Sequence, residues 1–118
     1  MTMDQSLLQF PLERILLLYD EAVVCLKRAA AAVSAGDQVL KTETLSRALG
    51  ALNTLRAGLD PTQDPLLTRN LEDLYQFSIH RIYDADSLND CMAIEQAIQV
   101  LEVLRSAWRD IRKEVHAR

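Results

Sequence analysis

The sequence predicts an all-α fold, an antiparallel up-down-up-down four-helix bundle with a short N-terminal arm. Two observations lead there. Only three Gly and three Pro interrupt a chain of 118 residues that is rich in Leu and Ala, a composition that favours helix throughout. Four amphipathic stretches of comparable length follow one another across short breaks, and such helices pack as antiparallel neighbours. No strand pattern, repeat or low-complexity tract interrupts the series. The arm takes residues 1–10, and one helical domain takes residues 11–118.

The arm has little periodicity and reads as loosely held. Pro11 suits the first turn of a helix, where its missing donor costs nothing. That first helix spans residues 11–34, with Leu12, Ile15, Tyr19, Ala22, Val23, Leu26, Ala30 and Val33 as its stripe. Ala35-Gly36-Asp37 stops it, with Gly36 as the left-handed cap. The second helix, residues 38–57, buries Leu45, Ala48, Leu49, Leu52 and Leu55 and leaves Lys41, Glu43, Arg47 and Arg56 among its polar positions. Two prolines and a glycine make residues 58–65 the clearest loop, in which Asp64 can cap the next helix and Pro65 open it. The third helix, residues 65–83, places Leu67, Leu71, Leu74, Tyr75, Ser78 and Ile82 on one face, with Phe77 and Ile79 beside it. Residues 84–90 read as a turn, with Ser87 or Asn89 capping the last helix. That fourth helix, residues 90–115, carries Ile94, Ala97, Ile98, Leu101, Leu104, Trp108, Ile111 and Val115.

Charge and composition exclude several functions. The net charge is −4 with acids and bases interspersed, so no basic stripe offers itself to nucleic acid. The basic run Arg109, Arg112, Lys113, His116 and Arg118 complements the dipole of the last helix. No apolar run approaches the ~20 residues of a membrane span, and no basic region opens the chain, so it reads as a soluble cytoplasmic protein without membrane insertion. Cys25 and Cys91 lie in helical patterns far apart and read as buried thiols.

Catalytic chemistry finds no foothold. A bundle metal site uses Glu-x-x-His pairs, but Phe77 stands three before His80 and Lys113 three before His116. The loop aspartates lack calcium-loop spacing, and no glycine-rich phosphate loop or nucleophile signature occurs. The reading is therefore no catalytic residue, no cofactor and no metal. A bundle with an exposed histidine could be a phosphotransfer domain, yet His80-Arg81-Ile82-Tyr83-Asp84 is bulky and has no glycine. What remains is surface. Leu17, Leu18, Val24 and Cys25 fall outside the first helix's stripe, and only Asp20, Glu21, Lys27 and Arg28 give that helix a wet side. Such a helix is either central in its fold or lends surface to a partner. Leu66 and Phe77 are further apolar positions of the same kind on the third helix.

Short motifs then carry a resemblance. Leu18-Tyr19-Asp20 in an apolar first helix resembles the Leu-Tyr-Asp-Gly-Ala motif of the FliS family of flagellin export chaperones. Ser34-Ala35-Gly36-Asp37, Leu59-Asp60, Asn70-Leu71-x-x-Leu74-Tyr75, His80-Arg81-Ile82 and Leu104-Arg105-Ser106-Ala107-Trp108 follow in that family's order, covering residues 11–112. Glu21 replaces the family's glycine, the loop after Asp60 lacks Gly-Gly, and the short arm has Phe10 but no tyrosine. The resemblance implies an antiparallel bundle, not an enzyme, that binds the C-terminal segment of unpolymerised flagellin in the cytosol. It implies a helix-in-groove mode and release at the export gate by competition, with a co-chaperone as a further partner. Leu17, Leu18, Tyr19, Val24, Leu66, Leu71, Tyr75 and Phe77 are the expected groove residues. Tyr19 and Tyr75 come from family motifs and read equally as core aromatics whose hydroxyls meet a buried acceptor. Asp20 and Arg81 are expected to pair between helices. Two other functions stay open, a bundle that homodimerises through its first helix and a phosphotransfer domain using His80.

Overall fold

Gly36 and Asn89 are the two places where the described backbone turns left-handed, with φ of 72° and 52°, and each ends a helix. The computed structural model describes residues 8–117. In it, α1 (Leu12–Ala35), α2 (Gln38–Ala57), α3 (Pro65–Leu88) and α4 (Cys91–His116) form an all-α bundle. Gly36 N–H reaches back to the carbonyls of Ala32 and Val33, and Asp37 then caps α2 by accepting from Leu40 N–H at 3.0 Å. Asp64 caps α3 at Leu67 N–H, 3.2 Å away, with Pro65 in the first turn.

The first and last helices are each displaced by one residue from expectation, and the third is longer. Pro11 is the residue before α1, with φ −58° and ψ 148°, and not its first helical residue. Helix α3 runs to Leu88, through most of the segment expected to turn. Tertiary contacts override the local composition there: Ala85 is buried, and Lys41 Nζ donates to the Asp86 carbonyl at 2.9 Å. Asn89 therefore closes α3, and Asp90 caps α4 by accepting from the amides of Met92 and Ala93 at 3.0 and 3.3 Å.

The end of the arm is held, not loose. Leu8 is buried and bridges antiparallel to Leu59, and Gln9 N–H donates to the Gly58 carbonyl at 2.8 Å. The Phe10 ring lies where a Cβ on residue 58 would stand, so Gly58 is needed for this close approach. The Arg14 guanidinium covers the same ring, 5.4 Å from its centroid. The rest of the arm lies outside the described residues.

Each helix packs on its two neighbours around a ring, α1 on α2 and α4, and α3 on α2 and α4, so α1 and α3 occupy opposite corners. The α1/α2 contact is the most extensive, because Ala22, Ala29, Ala32, Ala48 and Ala51 are buried on these helices and let them approach. Ile15, Leu26, Leu52, Leu55, Leu71, Ile82, Ile94 and Leu101 fill the core, each worth about 1.5–3 kcal/mol by burial. Cys25 is buried there, and burial first and Glu21 second push its thiol pKa up. Cys91 is only half-buried, because it begins α4 at the bundle's end, with Sγ 3.9 Å from the Ala30 carbonyl. Among the described residues no helix is long and apolar enough to cross a membrane.

Candidate docking surface

The motif aromatics meet in the core. Tyr19 of α1 and Tyr75 of α3 share a hydroxyl–hydroxyl hydrogen bond of 2.5 Å, and the Trp108 indole N–H of α4 donates to the Tyr19 hydroxyl at 3.3 Å. The two phenol rings tilt at 52° with centroids 6.3 Å apart, an aromatic pair in ordinary contact. All three side chains are fully buried. Burial raises the Tyr19 pKa to about 12, against the lowering effect of its two hydrogen bonds. Tyr75 is raised well above its ordinary value, by burial first and then by Tyr19. Tyr19, Tyr75 and the equally buried Leu71 are thus core residues, which corrects their expected place in an exposed groove. The reason is physical: each phenol finds its polar partner inside, so neither needs the surface.

The charged motif residues also serve the bundle. Asp20 accepts from Arg105 at 3.1 Å and Arg109 at 3.3 Å, both on α4. Arg81 instead pairs with Asp84 at 3.0 Å and Asp90 at 3.7 Å. The expected Asp20–Arg81 pair does not form: Asp20 faces the α4 arginines, and Arg81 is held by the carboxylates at the α3/α4 turn.

Of the other expected groove residues, Leu18 is half-buried against the core. Leu17, Val24, Leu66 and Phe77 are exposed, at 67%, 46%, 71% and 42%. They do not form one groove: the first two lie on α1 and the last two on α3. Glu21 and Arg28, both exposed, flank Leu17 and Val24 along α1. His80 is exposed on α3.

The seams between helices separate the candidates. Lys27–Glu102, Asp20–Arg105, Asp20–Arg109 and Glu13–Arg112 close α1/α4 with ion pairs of 3.1–3.6 Å. Arg56–Glu72 at 2.7 Å and Lys41–Asp86 at 3.4 Å stitch α2/α3 near its two ends. Between α3 and α4, among the described residues, only Arg81–Asp90 crosses, and it lies at the connecting turn. Below that turn the α3/α4 seam opens as a groove of about 280 Å³, lined by Leu74, Gln99, Val100, Val103 and Leu104. Its walls are apolar, and Val103, at 71% exposure, stands on the rim. On α3, Leu66, Asn70, Leu74 and Phe77 follow at helical spacing, so Leu66 and Phe77 extend the same strip. A larger concavity of about 770 Å³ lies on α2 between Gln38 and Arg47. Its described lining comes from α2 alone, with the exposed Val39 beside the Glu43–Arg47 ion pair, so it is a shelf on one helix and not a seam between two.

Sequence reasoning missed Leu74, Val100, Val103 and Leu104 as groove residues. Leu74 and Leu104 sat on stripes assigned to the core. Val100 and Val103 carried the same signal as Leu17 and Val24, apolar residues off the stripe, and Gln96, Val100, Val103 and Ala107 make a second strip at alternating four- and three-residue steps.

Fold and surface together define a small helical bundle with an open apolar groove between α3 and α4. Residues 5–115 match the family described as flagellar protein FliS. The chain is 37% identical over 102 residues to the flagellar secretion chaperone FliS of Salmonella typhimurium, covering 86% of this chain and 76% of that one. It is 29% identical over 106 residues to the Vibrio cholerae protein of the same name, covering 90% and 78%. To that of Escherichia coli it is 30% identical over 97 residues, covering 81% and 71%. The chain belongs to the FliS family of flagellar secretion chaperones.

Proposed function

We propose that this protein binds the C-terminal segment of unpolymerised flagellin in the cytosol and keeps it from assembling before type III export. The observation that carries the reading is the α3/α4 seam, an apolar groove along Leu74, Val100, Val103 and Leu104, while ion pairs between described residues lace α1/α4 and α2/α3. An amphipathic helix laid along Leu66, Leu74, Phe77, Val100 and Val103 exchanges water for apolar contact at about 25 cal/mol per Å². An adhesive client segment gains this only after being ordered, so a preformed groove lowers the cost of binding. Leu17 and Val24 on α1 offer a second, smaller contact to a client long enough to wrap around the bundle. Release needs no reaction: handover to the export gate, with or without a co-chaperone, follows from competition for the groove.

Calorimetric titration with the C-terminal segment of flagellin tests this. One-to-one binding with a negative heat-capacity change is expected, and Val103→Asp should weaken it about tenfold or more while leaving the fold intact. Full-affinity binding by Val103→Asp would remove the α3/α4 groove from the reading, and no binding by the folded wild type would remove flagellin.

A further inference from the structure

The groove has a sign as well as an apolar floor. Asp73 precedes Leu74 on α3 and lies one turn before Phe77; Asp110 continues the α4 strip two turns beyond Val103. Both are exposed, and neither has an ion-pair partner among the described residues. The acids bordering the other seams, Glu13, Asp20, Glu72, Asp86 and Glu102, each face a cation. Cations near the groove are engaged elsewhere or turned away. Arg81 is held by Asp84 and Asp90; Arg69, four residues before Asp73, lines a separate concavity of about 340 Å³ between α2 and α3; and Lys113, three residues after Asp110, lies one turn beyond Arg109, which pairs with Asp20 of α1.

We infer that the α3/α4 groove selects an amphipathic helix whose apolar stripe is flanked on both sides by Lys or Arg. This rests on the reading of the groove as the client's seat, and it adds the client's chemistry. Asp73 meets cations on one flank and Asp110 on the other, while the apolar stripe seats against Leu74, Val100 and Val103. Exposed ion pairs contribute little to affinity singly, but two of them in a fixed register discriminate against an acidic helix and speed encounter with a basic one. The net charge of −4 acts in the same direction.

Two synthetic peptides with one leucine stripe, flanked by Lys in one and Glu in the other, test the inference by calorimetry on the full chain. The Lys-flanked peptide should bind about tenfold tighter at low salt. In about 1 M NaCl, where screening acts within about 3 Å, the preference should fall below about twofold. The Asp73→Asn/Asp110→Asn double variant should bind both peptides with similar affinity. Equal binding to the wild type at low salt, or a preference that survives the double substitution, overturns the inference. A flagellin C-terminal segment and Val103→Asp, run alongside, keep the two readings apart. If flagellin binds through Val103 without any preference for Lys over Glu between the peptides, the charge selection falls and the chaperone seat stands. If flagellin fails and the Lys-flanked peptide binds with the stated preference, the selection stands and the client is another protein.

Discussion

Lys41 is the residue whose loss the fold should feel most sharply for a polar group. It stands in the first turn of α2 yet is buried, and its Nζ donates to the Asp86 carbonyl at 2.9 Å and to Asn89 Oδ1 at 2.8 Å. Asp86 Oδ1 lies 3.4 Å away. The ammonium thus sits at the C-terminus of α3, where free carbonyls concentrate negative charge, and it ties that end to α2. Charge-assisted hydrogen bonds contribute about 1.5–3 kcal/mol. The helix end adds about 0.3–1 kcal/mol. Because Asp86 and Asn89 are exposed and regain water when the lysine is lost, about 2 kcal/mol is the expected cost of Lys41→Met, which keeps the buried stem. With about 2.1 cal/mol/K of unfolding entropy per residue over 118 residues, that is a fall in Tm of about 8 °C. Thermal melting followed by circular dichroism reads it directly. Asn89→Gly is the companion variant: it keeps the left-handed cap, removes one acceptor, and should cost about half as much. A Tm for Lys41→Met within 2 °C of wild type, allowing for about 0.5 kcal/mol, would refute the clamp.

Further outcomes are expected from the core and the arm. Tyr19 and Tyr75 have folded pKa values above the ordinary 10, near 12 for Tyr19, so above pH 10 the unfolded chain releases protons that the folded one retains. Stability is full below pH 10 and should fall beyond it by about 1.4 kcal/mol per pH unit for each tyrosine, and denaturant melts across that range would show a flat profile if the pair is wrongly placed. Gly58→Ala forces the Phe10 ring out and should cost about 1–2 kcal/mol; in a Phe10→Ala background the same change should be nearly neutral, and additive costs would deny the contact. Asp20→Lys sets a third cation against Arg105 and Arg109 and should destabilise by about 1 kcal/mol, the pair being partly exposed, with Arg105→Glu restoring most of it in a double-mutant cycle.

The helices were legible because their signals are local. Gly36, Asp37, Asp64 and Pro65 mark their boundaries through backbone chemistry that neighbouring residues cannot change. The end of α3 was illegible for the opposite reason. Asp84, Asp86 and Ser87 favour a turn by composition, and only the distant Lys41 and the burial of Ala85 carry the helix onward. Lys41 itself shows the limit of pattern reading, since a lysine among polar positions looks solvated until a helix end is brought to it. Leu8 and Phe10 are the same case, as their anchor at Gly58 and Leu59 lies some fifty residues away along the chain.

The docking surface was harder to read than the fold, and the motifs explain why. Tyr19, Tyr75 and Trp108 come from three motifs on three helices and converge on one buried polar cluster, and Asp20 and Arg105 join two of those motifs across α1/α4. Burying two phenols and an indole is tolerable only when each polar atom finds another, so these residues specify how the helices align. Their polar groups are engaged within the bundle. A client-binding residue must be apolar and yet left uncovered by the fold, which in sequence looks like a misplaced core residue. Leu17 and Val24 met that description on α1, and Val103 met it on α4, beside the half-buried Val100. What separates them is the seam beside each. Ion pairs fill the seam between α1 and α4, while between α3 and α4 the pair Arg81–Asp90 lies at the turn, away from the groove. On the proposed reading, client selection adds Val103, Asp73 and Asp110, outside the motifs, to Leu74 and Leu104, which lie within them.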